Sequence, residues 1–414
     1  VPRDVLADVL ALLPPRTLAV SRCVCREWRD VVDADVRCQL RTDLLPLSVA
    51  GIFVETNEAE PPDFFIRPSM AHGQRLSRPF SRVHLGLLLD DDLVVNPTTR
   101  QWMRLPPYPT LHEEKQRSRR RCHYYPYRVF DPSFSPYFEV FSMESPLDYK
   151  DELSEESGWP PSEYMLRVYS SNTERWEERS FLREEEHTAT AASVWSKLDC
   201  RRCHAVYRHG ALYVYWMLTF ITRINVSTNK YRVIDLPPDI ISTRCYQFRL
   251  GKSVGGVHFA AVGQRRLQVW FLDESGSKIE WVLKHVTRYP FSDHQTGRPW
   301  ILQHGSYSYD DVQEENNEEP TAAENDSGWD SDADNATDID LDSCQYIELL
   351  GLHPYRDIVF LVLPSKKAVA YYFNSSKIQH LGGLFIGHFY QFIKEGFIYT
   401  PTWIGELPAA NYLV

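Results

Sequence analysis

The sequence predicts an α+β multidomain chain in which a small N-terminal helical unit precedes a large all-β, propeller-like domain. Apolar residues recur at helical spacing over the first 33 residues. Short β-rich runs separated by turns then begin near residue 42, and similar strand–turn–strand units recur along the remaining chain. With 414 residues there is room for both parts. The expected domains are therefore residues 1–41 and residues 42–414.

The first helix is predicted from an apolar stripe that recurs every three to four residues: Val5, Leu6, Val9, Leu10 and Leu13. Pro2 suits a first helical turn, and Asp4 complements the positive end of the helix dipole. Pro14 and Pro15 end the helix, because proline lacks an amide donor and restricts the residue before it.

Two further short helices are predicted before residue 34. The second carries Leu18 and Val20, and the third carries Cys25, Trp28 and Val32 on one side. A unit of about 40 residues rarely folds alone without a metal, a disulfide or a partner. The apolar excess of this unit therefore predicts a surface that another protein covers.

The spacing of these residues resembles the F-box. The pattern is V-P-x-D-V-L-x-x-V-L, then L-P-P-x-x-L, then C-V-C-x-x-W-R-x-V, with Val1 where leucine is commoner. The resemblance implies docking on a Skp-type adaptor, which links the helices to a cullin-based ubiquitin ligase. It assigns adaptor binding to the residues at the apolar positions of the motif: Pro2, Leu6, Leu10, Leu13, Pro14, Leu18, Val24, Cys25 and Trp28. The alternative, a helical cap on the larger domain, explains the stripe but not the whole spacing.

The remaining chain repeats an apolar strand, a polar turn and a residue that opens the next strand. The turns close on Trp102, Trp176, Tyr231, Trp281 and Ile378, which are 74, 55, 50 and 97 residues apart. The shorter gaps suit propeller blades of about 40–50 residues. The longer gaps contain two predicted loop insertions, a Pro- and Arg-rich stretch at 106–136 and an acidic, disordered one at 310–342. We expect six or seven blades, with a β-sandwich as the alternative.

This β-rich region also resembles the kelch-like, F-box-associated region of a large plant family. The likeness rests on V-V-N-P-T-T-R-Q-W (94–102), V-W-F-L-D-E-S-G (269–276), E-W-V-L-K-H (280–285), G-L-H-P-Y (351–355) and Y-T-P-T-W-I-G-E-L (399–407). In such proteins this region captures the protein to be ubiquitinated. The resemblance therefore implies a target-binding role without identifying the target or the residues that bind it.

Charge and hydropathy bear on several other function classes. Residues 310–342 hold 14 acidic residues and no Lys or Arg, so the chain carries −11 overall but +3 without them. A nearly neutral body gives nucleic-acid binding no support. The longest apolar run, 211–218, is too short for a transmembrane helix. A basic cluster at 115–121 is interpreted as a solvated loop, with nuclear localisation or an acidic target as alternatives.

Three sequence patterns resemble ligand sites, but each is explained better without a ligand. Cys200, Cys203 and His204 have the spacing of haem attachment, and His209 could complete a zinc site, but no second paired half is present. The aspartates at 330, 332, 334 and 338 imitate a calcium loop without its glycine or its glutamate. We therefore expect no metal and no cofactor.

The eight irregularly spaced cysteines, with no visible signal peptide, favour a reducing compartment and a cytoplasmic or nuclear location. The sequence thus predicts a non-catalytic substrate receptor of a Skp–cullin–F-box ubiquitin ligase, with an unknown protein target and neither nucleic-acid nor membrane partners. Two alternatives stay open: a propeller enzyme acting on a glycan or small molecule, and an F-box scaffold that does not direct degradation.

Overall fold

A computed structural model gives the structure of part of the chain. It describes residues 2–13, 21, 24–32, 49–56, 63–67, 93–96, 101–107, 124–131, 135, 137–144, 159–185, 204–216, 220–237, 240, 245–253, 255–263, 266–276, 278–288, 300–303, 347–384, 393–400, 407 and 411–412. The chain divides into two compact units. The first comprises Val1–Ser48, Gly86–Leu236 and Pro401–Leu413, and the second comprises Val49–Leu85, Pro237–Thr400 and Val414.

The described part of the chain is helical near its N-terminus and mostly β beyond residue 49, as predicted. The helices are α1 (Arg3–Ala11) and α2 (Arg26–Val31). The predicted second helix, with Leu18 and Val20, lies outside the described residues. The strands are β1 (Gly51–Thr56), β2 (Asp63–Ile66), β3 (Leu93–Asn96), β4 (Gln101–Arg104), β5 (Tyr124–Val129), β6 (Glu139–Glu144), β7 (Glu163–Ser170), β8 (Arg175–Arg183), β9 (Ala205–Arg208), β10 (Ala211–Trp216), β11 (Phe220–Asn225), β12 (Lys230–Asp235), β13 (Cys245–Ser253), β14 (Gly256–Gly263), β15 (Arg266–Asp273), β16 (Glu280–Arg288), β17 (Ile301–Gln303), β18 (Glu348–Leu352), β19 (Ile358–Val362), β20 (Lys367–Tyr372), β21 (Lys377–Gly383), β22 (Ile393–Tyr399) and β23 (Asn411–Tyr412).

The first unit contains a three-stranded sheet, β23-β4-β3, and an eight-stranded sheet, β5-β6-β7-β8-β12-β11-β10-β9. The larger sheet consists of two antiparallel four-stranded meanders joined by a short parallel pairing of β12 with β8. Its end strands β5 and β9 contact each other, so the sheet nearly closes. Both meanders contribute to one apolar core, in which Phe141 and Phe181 of the first meet Trp216 and Phe220 of the second.

The second unit contains three four-stranded sheets, ordered β17-β2-β1-β22, β13-β14-β15-β16 and β18-β19-β20-β21. The last of these, which we call the middle sheet, is buried on both faces. Ile358, Phe360 and Val362 of β19 enter a core shared with β1 and β2. Val359 and Leu361 of the same strand enter a core shared with β14 and β15. Because side chains alternate along a strand, one apolar run serves two cores.

The predicted turns that lie between described strands are confirmed by strand pairing. Tyr169 pairs with Trp176, Ile224 with Tyr231, Leu272 with Trp281, and Tyr371 with Ile378. Tyr231 and Ile378 lie in the buried clusters, and Trp176 packs against another.

The longest apolar run, 211–218, contains β10, which pairs with β11 as a hairpin. One sequence interpretation needs correction. The predicted insertion at 106–136 contains β5, so it is not a loop throughout. Proline is found in strands mainly at the ends of sheets, and β5 is an end strand of its sheet. The acidic stretch at 310–342 and the basic cluster at 115–121 lie outside the described residues.

Candidate partner-binding surface of the N-terminal helices

Helix α1 is short, and backbone hydrogen bonds mark both of its ends. The carbonyl of Pro2 accepts the amide hydrogen of Leu6 at 3.0 Å, which starts the helical ladder at the predicted residue. At the other end the amides of Leu12 and Leu13 donate to the carbonyls of Val9 and Leu10 at 3.3 and 3.1 Å. These tighter bonds pair groups that the helix itself leaves open, so α1 ends just before the Pro-Pro pair.

Helix α2 begins at a cysteine cap. The Cys25 sulfur accepts the amide hydrogen of Trp28 at 3.5 Å, and its carbonyl accepts that of Arg29 at 3.1 Å. Cys25 is exposed and extended in its backbone, so it precedes the helix and does not belong to its apolar side. The cap fixes where α2 begins and thus which way Trp28 points.

The two helices share a small apolar core. It consists of Leu6, Ala7, Leu10, Val31 and Val32, with Ala11, Leu13 and Trp28 packed partly buried against it. The guanidinium of Arg3 also donates to the carbonyl of Asp30 at 3.5 Å, which joins the start of α1 to α2. A core of this size stabilises a helix pair only modestly, because most helical stability comes from tertiary packing.

A second apolar row on α1 faces away from this core. Val5, Val9 and Leu12 are 47%, 54% and 70% exposed, and they recur at the spacing i, i+4 and i+7. Leu6, Leu10 and Leu13 form the parallel, inward row one residue later. Val24, just before the α2 cap, adds another large apolar side chain that is 62% exposed. We call Val5, Val9, Leu12 and Val24 the outer row.

The structure separates the predicted adaptor-binding residues into groups. Leu6 and Leu10 are buried inside the helix pair, and Leu13 and Trp28 are partly buried against them. Pro2, Val24 and Cys25 are exposed, whereas Pro14 and Leu18 lie outside the described residues.

Sequence reasoning left Val5, Val9 and Leu12 out of the binding set. The signal was present, because the stripe Val5, Leu6, Val9, Leu10 and Leu13 contains two rows about 100° apart around the helix. Only one of these rows can face α2. Helical periodicity does not distinguish the inward row from the outward one, and the structure does.

The N-terminal segment also matches a known family. Residues 1–39 match the family model of the F-box domain. This segment is therefore similar to F-box domains. The match covers less than a tenth of the chain, and no curated protein matches the chain in sequence. The helix pair and the outer row therefore lie within the residues that match this family model.

In the part of the chain that the structure describes, no group of three or more His, Cys, Asp or Glu residues is placed to hold a metal ion. No helix described there is long and apolar enough to cross a membrane. Cys200 and Cys203 lie outside the described residues, while His204 is buried with its ring stacked on Tyr215 at 6.3 Å between centroids.

Buried titratable groups of the β region belong to packed cores. Burial raises the pKa of Tyr231 to about 12, and its hydroxyl donates to the carbonyl of Pro161. Burial, together with the nearby charge of Arg356, lowers the pKa of His353 to about 3. These groups keep their neutral forms near pH 7 and stabilise loops and turns.

Proposed function

We propose that the protein is a substrate-receptor subunit of a Skp–cullin–F-box ubiquitin ligase. The observation that carries the proposal is the F-box domain at residues 1–39, together with the outer row on its surface. Large apolar side chains gathered on so small a unit are costly to expose unless a partner covers them. An adaptor of the Skp type would cover them, and a cullin would follow through that adaptor.

Within this proposal the predicted binding residues take different roles. Val24 of the predicted set offers exposed apolar contact area, together with Val5, Val9 and Leu12, which were not in that set. Pro2 and Cys25, which were predicted, are exposed as well. Leu6 and Leu10 act from inside, because their packing against α2 holds α1 in place. Trp28 is partly buried in the core and is our expected hot spot, since tryptophan at an interface often dominates binding. Pro14 and Leu18 belong to the binding set through the resemblance alone.

We further propose that the β region captures the target protein and is a six-bladed propeller of the kelch-like, F-box-associated kind. Counting the two meanders of the large sheet separately, the described strands form six sheets of three or four strands, which supports that count. In this role the chain itself catalyses no reaction. It acts in the cytoplasm or nucleus by holding a target near a charged ubiquitin carrier, which raises the effective concentration of the target's lysines.

The test compares two matched substitutions in the full chain. Val9 and Leu182 are both 54% exposed, the first on the outer row and the second on β8. Val9→Glu places an unpaired charge in the proposed interface and is expected to weaken binding of a Skp-type adaptor at least about tenfold, measured by co-purification and titration calorimetry. Leu182→Glu is expected to bind as well as the parent.

The thermal midpoint of each variant controls for misfolding. Because both side chains are exposed, neither substitution should move that midpoint by more than a few degrees. Adaptor binding by Val9→Glu at parental affinity would contradict the proposed surface. Failure of the parent chain itself to bind any Skp-type adaptor would contradict the proposed function.

A further inference from the structure

The outer strand β16 of the sheet β13-β14-β15-β16 differs from the comparable strands of the other meanders. β8 and β12 pair with each other, and β21 contacts β17. Among the described strands, only β15 pairs with β16, so its second edge carries no strand there. An open strand edge presents backbone donors and acceptors to another chain.

The side chains of β16 are unusually apolar for an outer strand. Val282, Leu283 and Val286 are 38%, 48% and 43% exposed. None of the large apolar side chains described on β12 or β21 is exposed, and on β8 only Leu182 is. The apolar exposure of β16 is therefore local to this strand and not a general property of the meanders.

Lys284 is the residue of β16 that would ordinarily protect such an edge, but its side chain does not point along the open edge. Lys284 lies at a register irregularity between β15 and β16, and its ammonium group lies 5.2 Å from the centre of the Phe271 ring. Lysines and bulges on edge strands usually block pairing with another chain. Here the lysine side chain lies across its own sheet, which leaves the middle of the edge accessible.

Charge is separated along the β15–β16 ribbon. At one end Arg266 lies opposite Arg288, and at the other Asp273 lies opposite Glu280. Hydrogen bonds from the Ser275 hydroxyl and amide lower the pKa of Asp273, so its carboxylate stays ionised. Lys278 contacts Glu280 at 3.5 Å, but both side chains are largely exposed and the pair is weak. Like charges that face each other across a strand pair destabilise it. A neighbouring group of the other sign would therefore stabilise each end of the ribbon.

We propose that a second copy of the chain pairs with this one, antiparallel, along the open edge of β16. An antiparallel arrangement brings the basic end of one ribbon beside the acidic end of the other, and two-fold symmetry repeats that contact. Both like-charge pairs then gain opposite neighbours, and the exposed apolar side chains of the two strands cover each other. A second copy fits these observations because its charge pattern complements the ribbon at both ends.

Charge reversal tests the proposal on the full chain by sedimentation equilibrium over a range of concentrations. Arg288→Glu places a glutamate opposite Arg266 in the strand register but sets that glutamate against Glu280 of the second copy. Glu280→Arg acts in the same way at the other end. Each single variant should keep or raise the thermal midpoint and should raise the dimer dissociation constant about tenfold. The double variant should restore dimerisation to within about threefold of the parent.

A second variant tests the apolar part of the interface. Leu283→Glu should abolish the dimer, whereas Ile301→Glu, at a residue of nearly equal exposure on β17, should leave it intact. A parent chain that sediments as a monomer throughout would overturn the proposal and leave this edge to a different protein. Single reversals that dimerise as tightly as the parent would overturn it as well.

Discussion

Helix α1 and the middle sheet both carry two apolar rows, but only the sheet buries both. In β19, Phe360 and Leu361 point to opposite faces and are both fully buried. In α1, Leu10 is 1% exposed while its neighbour Val9 is 54% exposed. The difference lies in what surrounds each element, because the sheet has a layer on either side and α1 packs on α2 alone among the described residues. An apolar row is thus evidence of a partner, which can belong to the same chain or to another.

The largest loss of folding stability is expected for a substitution in the middle sheet, which packs against a core on each face. Phe360→Ala removes a fully buried ring from the middle sheet and should lower the free energy of unfolding by about 3–5 kcal/mol, because little around it can collapse into the space. Urea unfolding followed by tryptophan fluorescence measures this loss. Ile301→Ala, at a half-exposed side chain of β17, should change the same quantity by less than about 1 kcal/mol. Equal losses in the two variants would contradict the two-sided burial of β19.

The next effect separates the two rows of α1. Leu10→Ala should destabilise the helix pair by about 2–5 kcal/mol, because Leu10 lies in its small core. Val9→Ala should change stability by less than about 0.5 kcal/mol. Hydrogen exchange of the amides in 3–11 measures both, since it reports local opening of the helix. Similar exchange rates in the two variants would show that the inward and outward rows are assigned wrongly.

The smallest effect concerns a polar group inside the middle sheet. The ring of His353 is buried against Phe360, its Nδ1 accepts the amide hydrogen of Tyr355 at 3.1 Å, and burial lowers its pKa to about 3. The unfolded chain, with a histidine pKa near 6.5, binds more protons between these values. Stability is therefore complete above about pH 6.5 and falls as the pH drops towards 3, by about 2 kcal/mol at pH 5.

His353→Asn removes this titration while its side-chain oxygen can still accept from the same amide. The loss of stability between pH 7 and pH 5, measured by urea unfolding, should shrink by that amount in this variant. An unaltered pH dependence in His353→Asn would mean that His353 is not held neutral in the folded chain.

The β region could be predicted in outline because turn chemistry is local. Polar turns followed by Trp176, Tyr231 or Trp281 mark hairpins without knowledge of the rest of the chain, and these three pairings are confirmed. β5 was missed because Pro126 indicates a loop unless the strand is known to lie at an edge, and edge position is a property of the whole sheet.

The candidate surface was predicted less completely than the hairpins. The family resemblance located the F-box correctly, but exposure of Val9 beside burial of Leu10 depends on where α2 lies. That position is set by contacts between residues more than 20 apart in sequence, such as Leu6 with Val31. Periodicity within one helix contains no information about it.

The strand order also affects how this chain folds during its synthesis on the ribosome. β1 pairs with β22 and β4 pairs with β23, so two sheets join strands separated by about 300 residues or more of chain. The meanders β13–β16 and β18–β21 can form as soon as their own residues emerge. β1 and β4 can pair early with β2 and β3, but their other edges stay unpaired until β22 and β23 emerge. During that interval strand edges near the N-terminus are open to other nascent chains. Chaperone demand should therefore be highest before β22 and β23 emerge.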